Sequence, residues 1–144
     1  MSAYPAWRRD GFAILTDPAA TDLDMVCGFI VDSYWGNGLP RATLEQSVRA
    51  ALVYNLMDEG RDRQVGFARV VTDHARIAWL SDVFVLEPYR RRGLGKWLVQ
   101  SVQDDPRLAA VRRWLLSTAD AHGLYRRCGW EDAPVGRYMQ RQRR

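Results

Sequence analysis

The sequence predicts a single α+β domain, in which a mixed central β-sheet is flanked by about four helices. Three observations carry this reading. Apolar residues recur at helical spacing early in the chain; three runs rich in Val, Ile, Phe, Trp and Tyr follow, separated by short polar turns; and a later helical stretch is followed by one more apolar run. With 144 residues, the chain can bury a core as one domain over 1–144 without disulfides or metal.

Phe12 to Thr16 is a short apolar run ended by Asp17-Pro18, and reads as the first strand. Leu23, Val26, Cys27, Ile30 and Tyr34 then form one apolar stripe, which predicts a helix from Thr21 to Tyr34. Gly36-Asn37-Gly38-Leu39-Pro40 breaks it. Thr43-Leu44-Glu45-Gln46 has capping-box spacing and opens a second helix toward Ala51. Leu52 to Met57, Gln64 to Thr72 and Arg76 to Leu86 read as strands joined so tightly that they must form an antiparallel meander. Leu94, Leu98 and Val102 share one face of a helix closed by Pro106. Val111 to Ser117 is a further strand, His122 to Cys128 a helix stopped by Gly129, and Trp130 to Met139 is expected to hold one or two final strands. The late β-α-β unit needs a crossover, so part of the sheet should be parallel.

Composition excludes several function classes. The aliphatic run Val83 to Leu86 is far too short to span a bilayer, so no membrane association is expected. Residues Met1 to Gly11 hold no apolar h-region, which argues against a secretory signal. Cys27 and Cys128 form no C-x-x-C pair; that argues against a metal knuckle or redox motif and suits a reducing, cytoplasmic setting. The net charge is +4, but the tail Gln140-Arg141-Gln142-Arg143-Arg144 holds three arginines, so the body carries 4 − 3 = +1. That balance, and the lack of aromatic-basic alternation on the strands, ranks nucleic-acid binding low.

The segment with the clearest chemistry is Arg90-Arg91-Arg92-Gly93-Leu94-Gly95. It joins a strand to a helix start, where free backbone N–H groups and the helix dipole favour an anion. Gly93 and Gly95 lack a Cβ, so a phosphate can approach the backbone, and Arg90, Arg91, Arg92 and Lys96 add charge. A P-loop is excluded because the earlier glycine is missing and Trp97 follows Lys96. A dinucleotide fold would need a second β-α-β half that the chain cannot accommodate.

The run from Asp82 to Leu98 (Asp-Val-Phe-Val-Leu-Glu-Pro-Tyr-Arg-Arg-Arg-Gly-Leu-Gly-Lys-Trp-Leu) resembles the acetyl-CoA motif of GNAT-superfamily N-acetyltransferases. A second segment, Ala121-His122-Gly123-Leu124-Tyr125-Arg126-Arg127-Cys128-Gly129-Trp130, is similar to the family's late motif, where a tyrosine precedes a Gly-aromatic pair. Element order extends the resemblance over essentially the whole chain. It implies transfer of acetyl from acetyl-CoA, with no metal, to a small-molecule or peptide amine. Homodimers are common in the family.

Carried over residue by residue, the resemblance gives Val83, Phe84 and Val85 the backbone groups that hold the pantetheine arm. The family has a bulge in this strand that frees an N–H to polarise the thioester; carried over, that donor would lie near Phe84 or Val85, while the sequence leaves the bulge itself open. The pyrophosphate would sit on amides from Arg91 to Lys96, which include Leu94, with Arg90 where the family has Gln or Arg. Tyr125 matches the tyrosine that reaches the leaving sulfur. Some members carry a glutamate where this chain has Ser81, which leaves Asp82 as the nearest base, alone or through water; a structural hydrogen bond is its other role. Thr118 stands where the family often has a pantetheine-contacting asparagine, and it can equally cap a helix. Tyr34, Trp35 and Trp79, with Asn37 and Arg41, are candidates for the acceptor pocket; the aromatics can equally plug helix ends. His74 and His122 read as solvated, and Cys128 as a small packed residue. The rival to an enzyme is a catalytically inactive acyl-CoA-binding regulatory module that keeps the phosphate turn.

Overall fold

In a computed structural model, residues 4–143 are described; Met1 to Ala3 at the start, and Arg144 of the basic tail, lie outside them. One sheet of six strands runs in the order β1 (Ala6–Arg9), β2 (Phe12–Leu15), β3 (Leu52–Asp58), β4 (Arg63–Thr72), β5 (Ile77–Val85) and β6 (Arg113–Leu115). All neighbours are antiparallel except β5 and β6, which are parallel and joined through helix α3 (Leu94–Gln103). Helices α1 (Leu23–Asp32) and α2 (Arg41–Arg49) lie between β2 and β3, and α4 (His122–Arg127) follows β6. The α+β class, the meander and the parallel crossover therefore match the sequence reading.

Period-2 alternation divides the core into two layers. Val53, Phe67 and Phe84 face α1 and α2, packing on Val26, Ile30 and Leu44. Tyr54, Ala68 and Leu80 face α3 and α4, packing against Leu98, Val102 and Tyr125. Strands β3 and β4 form a hairpin around Asp58 and Arg63, so the two middle runs bury both faces as the centre of a mixed sheet requires.

Three expectations are corrected. Ala6–Arg9 forms an edge strand that its polar composition concealed; backbone pairing with β2 makes it. Helix α2 begins at Arg41 behind an extended Pro40, not at a Thr43 capping box. Pro40 already fixes the entry backbone, and Glu45 accepts from Arg41 instead of folding back. No strand occurs over residues 130–139. There the Trp130 indole N–H donates to Gln103 Oε1 at 2.7 Å, anchoring the chain to α3, while Pro134 and a left-handed Gly136 (φ 81°) interrupt any ladder.

Just past the C-terminus of α3, Asp105 is the centre of a polar triad with the buried Tyr54 and the half-buried Arg107. The Tyr54 hydroxyl donates to Asp105 Oδ2 at 2.6 Å, and Arg107 Nη2 donates to the same oxygen at 2.7 Å. Burial, then Asp105, pushes the Tyr54 hydroxyl far above its ordinary value. Burial opposes ionisation of Asp105, but its bonds from Arg107 and Tyr54 outweigh that and hold the carboxyl below the usual range. A tyrosine whose folded value is raised contributes stability below about pH 10 and loses it as pH climbs toward the folded value. Urea midpoints should therefore fall above about pH 10, and Tyr54→Phe should lower stability at pH 7 by about 1–2 kcal/mol while flattening that alkaline fall.

Candidate active site

Strand β5 pairs with β6 only from Ile77 to Trp79, then continues to Val85 with no parallel neighbour. The divergence opens a cleft of about 420 Å³ whose walls include Tyr34, Trp35, Arg69, Trp79, Asp82 and Tyr125. Of the sequence candidates for an acceptor pocket, Tyr34, Trp35 and Trp79 are brought together there. Arg41 is not: it is held by Asp24 at 2.7 Å and Glu45 at 2.9 Å between α1 and α2. Asn37 also lies off the lining.

At the far end of β5 the chain makes a 3-10 turn over Glu87–Tyr89 and enters α3 through Gly93, its N-cap. Arg91 (φ 65°) and Gly93 (φ 76°) are both left-handed, a geometry that gathers successive amides into an anion-binding concavity. No side chain caps α3, so its first amides remain available. A Cβ on Gly95 would meet only Val85 Cγ2 at 3.9 Å and Leu124 Cδ2 at 4.0 Å. Gly95 therefore faces the side chains of Val85 on β5 and Leu124 on α4 without crowding.

The four cations of the turn are not equivalent. Arg90 Nε donates to the Val85 carbonyl at 2.8 Å, and Arg92 stacks on the Tyr89 ring at 5.4 Å. Arg91 and Lys96 are exposed and, among the described residues, make no ion pair. A fifth cation was not foreseen. Arg9 of β1 lies over the Trp97 ring at 4.8 Å, and its Nη2 is 4.0 Å from where a Gly93 Cβ would stand. Pairing of β1 with β2 brings it there, and β1, unlike the apolar β2, had no apolar signature to find.

Register shows that β5 bulges. Phe67 pairs with Phe84, yet Arg69 pairs with Ser81, so Asp82 and Val83 together oppose Ala68. Asp82 is left-handed (φ 53°). The extra residue changes the phase of the strand: Leu80 and Val85 face the α3 layer, while Phe84 faces α1, stacked on Phe29 at 3.9 Å. Gly66 is required alongside, because a Cβ there would lie 2.8 Å from the Phe84 carbonyl oxygen. The Leu86 amide donates to the Val65 carbonyl at 2.8 Å. Ladder alternation then turns Phe84 toward β4 and Val85 away from it, in keeping with the Val85 carbonyl accepting from Arg90.

Tyr125, on α4, is 9% exposed and edge-on to Trp130 with ring centroids 5.9 Å apart. Burial, followed by Tyr34, Cys128 and Asp120, pushes its hydroxyl up to about 12, so it stays protonated at neutral pH. Tyr34 spans the mouth of the cleft: its hydroxyl accepts from the Ala119 amide at 3.2 Å and donates to Asp120 Oδ1 at 3.4 Å. Thr118 Oγ1 accepts from the Ala121 amide at 3.0 Å, capping the approach to α4 while still lining the cleft.

Asp82 does not stand free. Its carboxylate accepts from Arg69 Nε, and Arg69 Nη2 donates to Ser81 Oγ at 3.3 Å. Both side chains of this ion pair are largely buried, 6% exposed for Asp82 and 18% for Arg69. Sequence reasoning missed Arg69. Hairpin arithmetic could have found it, since one arginine and one aspartate interrupt two apolar strands at nearly facing positions. Burial also raises both thiols, Cys27 and Cys128, and neither is in a disulfide. Among the described residues, no helix is long and apolar enough to cross a membrane, and no three His, Cys, Asp or Glu side chains could hold a metal ion.

Residues 49–132 match the family model described as the acetyltransferase (GNAT) domain. The chain is similar to a crystal structure from Xanthomonas campestris pv. campestris, a candidate GNAT-family acetyltransferase, at 35% identity and a TM-score of 0.85, over 94% of this chain and 95% of that one. A candidate acetyltransferase from Deinococcus radiodurans R1 shares the fold at 22% identity and a TM-score of 0.71, over 93% of this chain and 92% of the other. A curated candidate acetyltransferase from Gibberella zeae is 25% identical over 148 residues, covering 88% of this chain and 82% of that protein.

Proposed function

The chain belongs to the GNAT acetyltransferase family, and on that premise we propose that it transfers the acetyl group of acetyl-CoA to a primary amine of a small molecule or peptide in the cytoplasm. The observation that carries the proposal is the pair of features that β5 serves. Its middle, at Asp82 and Val83, lines a cleft holding a neutral, buried phenol, and its end at Val85 leads through a short turn into an anion-suited helix start.

Acetyl-CoA, when bound, supplies an activated acyl carbon and a thiolate leaving group. The chain's part is to hold, polarise and donate. Amides from Arg91 through Lys96 hold the pyrophosphate, with Arg9, Arg91 and Lys96 adding charge. Val83 and Val85 offer backbone groups to the pantetheine arm. Val83 alone of this pair lines the acceptor cleft, so its amide is assigned to the thioester carbonyl. The Tyr125 hydroxyl donates a hydrogen bond to the departing sulfur. A phenol held near 12 is a weaker acid than an alkyl thiol and does not surrender its proton outright to the thiolate, so Tyr125 stabilises without titrating. The acceptor's proton passes to water in the open cleft, because Asp82 is already engaged by Arg69.

Tyr34, Trp35 and Trp79 form the acceptor walls. Tyr34→Phe frees the Ala119 amide and Asp120, and should raise KM for the amine by about three- to tenfold with a smaller change in kcat. The proposal itself is tested by incubating the protein with acetyl-CoA and a panel of primary amines and detecting products by mass spectrometry. An acetylated amine is the expected result. CoA binding with no product from any amine would favour the inactive regulatory module, for which the engaged Asp82 and the serine at position 81 speak.

A further inference from the structure

We propose that Arg69 is a positioning residue, whose ion pair with Asp82 fixes which residue of β5 bulges and so aims the Val83 amide. The inference rests on the acyl-transfer reading for its consequence, but not for its geometry.

Two constraints act on this stretch of β5. The first is hydrophobic phase: Leu80 and Val85 must face α3 while Phe84 stacks on Phe29. Between Ser81 and Phe84 the strand must therefore hold one residue more than its partner. Phase alone does not choose which residue leaves the extended conformation. Ser81, Asp82 and Val83 would each satisfy it.

The second constraint makes the choice. A left-handed backbone is unfavourable for any residue with a Cβ, and Asp is among the few that tolerate it. Asp82 adopts it with its carboxylate turned onto Arg69 Nε, while the same guanidinium holds the Ser81 hydroxyl at 3.3 Å. One planar, forked cation thus clamps two successive residues of β5 from the facing strand. Arg69 is itself fixed, since it pairs with Ser81 where the regular register resumes. The residue after the clamp is Val83, the amide assigned to the thioester. An error of about 1 Å in such a donor is felt strongly in rate.

Asp82 in this account is a conformational device and not a base, which a rescue experiment can read. Glycine adopts the left-handed conformation without a clamp. Arg69→Met leaves a buried carboxylate unpaired, so it should lower kcat by about ten- to a hundredfold, with KM for acetyl-CoA within about threefold of the parent. In the ligand-free protein, amide exchange at Val83 and Phe84, read by NMR, should accelerate about tenfold while β3 is unmoved. The double variant Arg69→Met/Asp82→Gly removes the stranded charge as well as the clamp. It should recover kcat to within about threefold of the parent.

If Arg69→Met is too unstable to purify, the double variant decides alone. A folded but inactive double variant would overturn the proposal and make the Asp82 carboxylate chemical. Unchanged exchange at Val83 and Phe84 in Arg69→Met would overturn it equally. Absence of acetyl transfer in the parent protein would instead count against the function, and would leave the exchange result to judge the clamp.

Discussion

Gly95→Glu is expected to abolish acetyl-CoA binding in a protein that still folds. The position is the second residue of α3, and a Cβ there meets Val85 and Leu124 only at ordinary contact distance. Glutamate also has better helix propensity than glycine, and its charge suits a helix N-terminus. The fold therefore has no reason to object. The ligand does: the new carboxylate would project between β5 and α4, where the phosphates are assigned. Two like charges about 5 Å apart at an effective dielectric of about 20 repel by about 3 kcal/mol, or more than a hundredfold in affinity. Calorimetric titration of CoA, with circular dichroism as the folding control, reads both halves. Parental affinity in a folded variant would remove the turn from the site. Gly93→Glu is a poorer probe, because Gly93 is left-handed at 76° and a side chain there strains the backbone whatever binds.

Tyr125→Phe should cost about a hundredfold in kcat while KM for acetyl-CoA changes little, since the hydroxyl acts on the leaving sulfur and the ring keeps its packing against Trp130. The pH profile sharpens this. With the hydroxyl protonated up to about 12, kcat/KM should climb with pH as neutral amine accumulates, and no falling limb below that value belongs to Tyr125. The parent and the Phe variant should therefore show the same profile shape between about pH 7 and pH 10, displaced in rate. A falling limb near pH 9 that vanishes in Tyr125→Phe would mean that the tyrosine titrates in the reaction, against the role assigned here.

How the sequence foretold this site depended on whether a feature was local. The turn from Arg90 to Gly95 is local: glycines, cations and a helix start are adjacent, so its chemistry could be read directly. Tyr125 was reached through resemblance, because nothing in its own neighbourhood marks it. The features that escaped are cross-strand ones. Arg9 reaches the phosphate turn through a hairpin made by backbone pairing, and Arg69 meets Asp82 through a register that linear pattern does not state. Whether β5 bulges was open in the sequence, and only the donor N–H was expected, near Phe84 or Val85; the bulge lies at Asp82 and Val83, because the alternation of two core layers determines its place only once strands are paired. The C-terminal strands failed for a different reason. Apolar residues at Trp130, Val135 and Met139 suggested a strand, yet Val135 and Met139 are fully exposed and only Trp130 finds a partner within the chain.

The helix start after Gly93 and the Tyr125 hydroxyl are assigned as the two ends of one acetyl-CoA site. A crystal structure with CoA tests it most directly. The pyrophosphate is expected on the amides between Arg91 and Lys96, the pantetheine arm along Val83 to Val85, and the sulfur within hydrogen-bond reach of Tyr125. Density for CoA with its phosphates away from that turn, or with its sulfur remote from Tyr125, would contradict it.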